Sequence, residues 1–196
     1  MTQWRPEGSQ EWVSSTTSCT GDSPAPPSAP AGIEVVQVPP VPSMQQIQEA
    51  FVSLPFCLPK PSMQPVGGRT LVNLPTFYEA TWPDDGDCLA PGETSEAMQL
   101  LSWSIEFRAA ERSYWYDFGD GENSGWTKSA GGIYPDGDIR HTYSDVGKVR
   151  VHIDATLTGS YRVDGGEWQD IDTVADLQDE PEVPYEVVEA KNRLVS

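Results

Sequence analysis

Basic residues are scarce in this chain: 12 Lys and Arg stand against 30 Asp and Glu among 196 residues, a formal charge of −18. That balance excludes a generic nucleic-acid binder, because phosphate recognition needs clustered Lys and Arg to release counterions. Histidine is scarcer still. Only two are present, His141 and His152, and no G-x-S-x-G, H-E-x-x-H or phosphate-loop string accompanies them, so no catalytic constellation is legible. No run of about 18 apolar residues occurs that could cross a bilayer as a helix. The opening MTQWRPEGSQEW lacks the basic start and apolar run of a secretory signal. The three cysteines, Cys19, Cys57 and Cys88, fit no zinc, haem or CxxC spacing. A Cys57–Cys88 disulfide in an oxidising compartment and three unrelated thiols are both open readings.

Glycine and proline are plentiful, 17 and 18 residues, with only 37% apolar side chains. That composition favours turns and short strands, and one compact domain with tails. Three segments follow along the chain. Residues 1–42 read as a Pro-rich extended or disordered segment, with seven prolines between positions 20 and 42 and one candidate strand at IEVVQV, residues 33–38. Residues 43–66 hold a short helix and a Pro-rich strap. Ile47, Phe51 and Leu54 recur on one helical face, Ser43 is placed to cap with Gln46 as its capping-box partner, and Pro55 stops the helix. Residues 67–196 read as the β domain.

Within that domain Leu101, Trp103, Ile105 and Phe107 alternate with polar residues, as do Tyr114, Tyr116 and Phe118, and later Val149, Val151 and Ile153. The first and last predict strands buried on one face, with Leu101, Trp103, Ile105, Phe107, Val149, Val151 and Ile153 in one core; in the middle one Trp115 faces opposite Tyr114 and Tyr116, so one of those two faces is exposed or covered by another element. Leu157 to Val163 leads through Asp164-Gly165-Gly166 to a return strand opened by Trp168, and Val183 to Val195 is the last candidate strand. About seven short strands without βα alternation predict a mainly β fold, an antiparallel β-sandwich, with a closed barrel as the alternative.

The most specific string is Tyr114-Trp115-Tyr116-Asp117-Phe118-Gly119-Asp120-Gly121, followed by His141-Thr142-Tyr143 and Gly147. Gly119 and Gly121 suit positive φ in a tight turn, Asp117 and Asp120 suit capping of its amides, and Tyr143 is placed to bond an upstream backbone group as a tyrosine corner does. Over residues 98–163 this string resembles the PKD (polycystic kidney disease) domain, an immunoglobulin-like module with a W-x-F-G-D-G turn and a later H-x-Y. Two features depart from that pattern: the long stretch from Glu122 to Arg140, and Val149 where an aromatic is common. With GGRTLVNLPTFYEATW, GGIYP and EVVEAKNRLV added, the chain also looks similar to an uncharacterised family of exported actinobacterial proteins. That resemblance implies an extracellular or cell-surface setting, with a signal segment upstream of Met1, and no defined activity.

The functional expectation is a non-enzymatic module that makes protein contacts in the cell envelope or self-associates through an edge strand; a carbohydrate-binding or calcium-stabilised accessory module is the alternative. No cofactor is expected unless Ca²⁺, which takes six to eight oxygens. Asp117, Asp120 and Glu122 are the leading calcium candidates, with Asp84, Asp85 and Asp87, Asp136 and Asp138, and Asp170 and Asp172 as others; none has EF-hand spacing. Backbone capping and solvated turns explain the same residues. Asp164 to Glu186, with nine acids and no Lys or Arg, reads as a solvated surface. Trp126, Tyr134 and Trp115 are the candidate binding aromatics, for a protein or a polysaccharide, and Trp126 as the plug of a folded loop is the alternative.

Overall fold

A computed structural model describes residues 2–5, 13–15, 34–36, 40–83 and 87–190. The chain divides into two units, Met1–Val41 and Pro42–Ser196. In the first, β1 (Thr2–Arg5) pairs antiparallel with both β2 (Val13–Ser15) and β3 (Glu34–Val36). The stretch expected as extended thus carries a three-stranded sheet, and the candidate strand at IEVVQV supplies its third member. The prolines at 24, 26, 27, 30 and 39, and Cys19, lie outside the described residues.

The second unit opens with α1 (Met44–Val52). Ser43 accepts from the Gln46 amide while Gln46 bonds back to the Ser43 amide, a complete capping box. Ile47 and Phe51 face inward, and the Phe51 ring lies 5.9 Å from Phe107. It also sits directly over Gly159, where a Cβ would come within 2.7 Å of it. Burial of Phe51 stabilises by about 2–3 kcal/mol, enough to fix so short a helix that would not persist alone.

The strands that follow are β4 (Lys60–Gln64), β5 (Arg69–Leu71), β6 (Thr76–Thr81), β7 (Met98–Leu100), β8 (Trp103–Asp117), β9 (Arg140–His141), β10 (Gly147–Val163), β11 (Gln169–Asp176) and β12 (Val183–Val188). They form a six-stranded sheet in the order β5-β12-β10-β8-β7, with β11 also on β10, and a three-stranded sheet β4-β6-β9. The pairing is antiparallel except between β5 and β12. One apolar cluster joins Tyr78 and Ala80 of β6 to Tyr116, Val151, Ile153 and Tyr185 of the larger sheet. The architecture is mainly β, with packed sheets, consistent with the sandwich class.

Strands β8 and β10 are longer than the alternations predicted. The alternations predict two short strands in each place, yet β8 spans 15 residues and β10 spans 17. In β8 the buried positions change parity, from Ile105, Phe107 and Ala109 to Tyr114 and Tyr116. Thr156 faces Ser113 while Leu157 faces Glu111, so Arg112 is an extra residue, a bulge that keeps both halves facing the core.

Three expectations need correction. Leu101 is not core: it sits at φ 58° in the tight turn between β7 and β8, which aims its side chain outward. Trp103 and Val149 are half-buried rather than inside the core, and Val149 packs against its margin. The last strand ends at Val188, not Val195; residues 191–196 are outside the described ones.

Candidate functional site

The turn after β8 is built by its own carboxylates. Asp117 Oδ1 accepts from the Gly119 amide at 2.7 Å, and Asp120 Oδ1 accepts from the Glu122 amide at 3.1 Å. Gly119 and Gly121 both hold positive φ, 79° and 96°. A Cβ on Gly119 would meet the Arg150 backbone of β10, whereas one on Gly121 would meet nothing. The turn is therefore pressed onto the neighbouring strand at one glycine only.

His141 closes the turn from the other side. Its Nε2 lies 2.7 Å from Asp120 Oδ2, its Nδ1 lies 3.6 Å from Glu122 Oε2, and its ring stacks on Phe118 at 4.4 Å between centroids. Both ring nitrogens face carboxylates and the side chain is only 8% exposed, so His141 is fixed as a structural member of the turn. Asp117, Asp120 and Glu122 are engaged with amides and with His141. Among the described residues no group of three or more His, Cys, Asp and Glu is disposed to hold a metal ion.

Tyr143 bonds beneath this turn. Its hydroxyl donates to the Phe118 carbonyl at 2.9 Å and lies 2.8 Å from the Tyr78 hydroxyl, so the second proton comes from Tyr78. The upstream group it reaches is 25 residues away, and the bond ties the turn to the core. Burial pushes the Tyr143 phenol up to about 12 and raises Tyr78 and Tyr116 further. Tyr116 donates to the Ser129 carbonyl and Tyr185 to that of Pro65. Tyrosines 78, 116, 143 and 185, all fully buried, thus hold the loops that cap the sheets.

The long excursion after Glu122 is pinned at several points. Tyr114 and Thr127 exchange backbone bonds, Ser129 Oγ donates to Asp138 at 2.6 Å, and Gly132 donates to the Tyr78 carbonyl. Even so, Trp126, Ile133 and Tyr134 remain 55%, 56% and 68% exposed. Trp126 meets the half-buried Trp115 at 5.8 Å, an edge contact, so these two predicted aromatics come together. Tyr134 lies apart, its ring 5.6 Å from Phe77.

Two concavities border these aromatics. Trp126 flanks a cleft of about 380 Å³ lined by His152, Asp154, Asp176, Asp179, Glu180 and Glu182. There burial raises the Glu180 carboxyl, with the Asp154 and Asp176 charges adding to it and the Ala155 amide opposing. Tyr134 borders an apolar groove of about 670 Å³ with Phe77, Leu74, Val66, Pro65 and Pro75, and with Arg140 as its charged member. Sequence reasoning missed Phe77 and Arg140. The alternation of TFYEAT, with Tyr78 inside, was the available sign that Phe77 faces out.

Sequence reasoning also missed Trp168. The guanidinium groups of Arg108 and Arg162 lie over its ring, 4.3 and 4.8 Å from the centroid, and Arg162 makes two bonds to Glu106. Cys57 and Cys88 are joined by a disulfide, and Cys57 N–H donates to Leu89 O beside it. Of the first acidic cluster, Asp84 and Asp85 lie outside the described residues, and Asp87 is exposed. No helix among the described residues is long and apolar enough to cross a membrane. No family model, curated protein or solved structure matches the chain.

Proposed function

We propose that the chain is an exported, non-enzymatic module of the immunoglobulin-like, PKD-like kind that binds a protein partner at the cell envelope. The carrying observation is the excursion from Glu122 to Arg140, which is pinned by hydrogen bonds to the core yet presents Trp126, Ile133 and Tyr134 to solvent. Large apolar side chains on an ordered loop lower the entropy cost of association, and aromatics dominate binding hot spots.

Strand order supports the fold assignment. β4, β6 and β9 share one sheet while β8, β10 and β12 share the other, the partition of A, B and E against C, F and G in immunoglobulin-like sandwiches. The Cys57–Cys88 bridge suits an oxidising compartment.

The test is affinity capture from envelope extracts with immobilised wild type beside Trp126→Ala and Tyr134→Ala. A specific partner is expected whose recovery falls at least about tenfold in one of these variants. Equal recovery by all three proteins, or a hydrolase activity lost in His141→Asn, would overturn the reading.

A further inference from the structure

The apolar groove has a defined cross-section. In the register of the small sheet Gln64 faces Phe77, and Phe77 faces Arg140, so three side chains from β4, β6 and β9 form one row. Thr76, Tyr78 and Ala80 are buried, so by strand alternation this row lies on the outer face. Tyr134 stands over Phe77, and its backbone N–H donates to Gln64 Oε1 at 2.9 Å, which fixes that wall. Pro65, Val66, Leu74 and Pro75 close the sides, with Val66 79% exposed. Arg140 makes no ion pair or side-chain hydrogen bond among the described residues, although the chain carries a net charge of −18.

We infer that this groove binds an extended peptide segment bearing an apolar residue at one position and Asp or Glu two positions along. The inference rests on the binding-module reading above and names the partner's chemistry. Directly opposed residues on neighbouring strands stand about 5 Å apart. In an extended peptide, residues i and i+2 share a face about 6.6 Å apart. A side chain seated on the Phe77–Tyr134 pair therefore places the i+2 carboxylate at Arg140, where a guanidinium accepts it with charge-assisted hydrogen bonds. The apolar walls favour a peptide over a sugar. Gln64 Oε1 already accepts the Tyr134 amide, which leaves Arg140 as the chief polar group for a ligand, whereas a saccharide needs several.

The purified chain is titrated by fluorescence anisotropy with three labelled peptides, GSLALAEAG, GSLALAQAG and GELALAAAG. The first has Glu two residues after Leu, the second replaces it by Gln, and the third places Glu at odd spacing, on the opposite face of an extended chain. The first peptide is expected to bind at least about tenfold tighter than the other two, and to lose that margin in Arg140→Gln. In Tyr134→Ala all binding weakens. Both residues are exposed, and circular dichroism checks that the variants keep their fold. Equal binding of the three peptides, no measurable binding, unchanged binding in Arg140→Gln, or binding of tetragalacturonic acid in preference to peptide would each overturn the assignment. Those outcomes leave the envelope capture and its Trp126 arm standing, so the two readings fail separately.

Discussion

Replacing Gly119 and Gly121 by alanine, one at a time, separates two costs that usually arrive together. Both glycines lie in one turn, with φ of 79° and 96°. An L side chain at such φ costs roughly 1–2 kcal/mol wherever it occurs. At Gly121 the added Cβ meets open space, so that conformational cost should be the whole effect. At Gly119 the Cβ would run into the Arg150 backbone, with the nitrogen at 2.7 Å and the carbonyl carbon at 2.9 Å. Backbone in the longest strand of the sheet cannot rotate away as a side chain can. Separating turn from strand also strains the Asp117 cap on Gly119 and the Tyr143 bond to Phe118. An overpacking cost of about 1–3 kcal/mol therefore adds at this site alone. Gly119→Ala should lose about 2–5 kcal/mol in urea unfolding and Gly121→Ala about 1–2 kcal/mol. Gly119→Val should lose more again. Equal losses at the two glycines, or none at Gly119, would refute the claim that the turn is pressed onto β10.

Tyr143→Phe removes the donor to Phe118 and the acceptor of Tyr78, and should cost about 1–3 kcal/mol, whereas Tyr78→Phe leaves the Tyr143–Phe118 bond intact and should cost less; paired denaturation curves check the order. Alkaline pH should unfold the protein. The buried tyrosines have phenols raised by burial, so the folded state holds protons that the unfolded chain releases above about pH 10. Their stabilising effect is complete below that pH and is lost as pH rises toward the folded values, which absorbance at 295 nm should report as a cooperative rather than gradual titration. Reducing Cys57–Cys88, which closes a separation of 31 residues, should cost up to about 3–4 kcal/mol by chain entropy; melting with and without reductant measures it, and an unchanged midpoint would contradict it. Trp126→Ala should leave stability within about 1 kcal/mol of wild type because the ring is mostly solvated, while the near-ultraviolet dichroism of its contact with Trp115 disappears.

Features encoded within a few residues were legible in the sequence, and features that depend on register were not. The Ser43–Gln46 capping box and the glycines of the turn after β8 could be read because each motif contains its own partners. For Tyr114, Tyr116 and Phe118 the alternation separates two faces without saying which is buried, and it is the tyrosine face that enters the core while Trp115 stays half-buried. The bulge at Arg112 was not legible, since parity changes across Ala109 to Ser113 where small and charged residues mark neither face. Nor was the row of Gln64, Phe77 and Arg140, which are 13 and 63 positions apart and meet only through strand pairing. The Tyr143 bond to an upstream backbone group is legible from the corner motif, but period two says nothing of where the hydroxyls of Tyr78, Tyr116 and Tyr185 find their partners. Leu101 was misplaced because alternation carries no signal that a strand has already turned.

The disulfide also decides how this unit would carry a mechanical load. All of β4, β5 and β6 lie between Cys57 and Cys88, inside the covalent loop. Tension applied between Pro42 and Ala190 would leave α1, cross the sulfur bridge and enter the chain again ahead of β7, bypassing those three strands. With the bridge intact, the parallel pair of β5 and β12 would bear no force from the N-terminal side. Once it is reduced, the route runs through β5, and the bonds at Arg69, Thr70 and Leu71 load in shear, together rather than one by one. The releasable contour grows by 31 residues, roughly 100 Å at full extension. Single-molecule pulling in oxidised and reduced buffer would read this as a difference of about that length in the total extension.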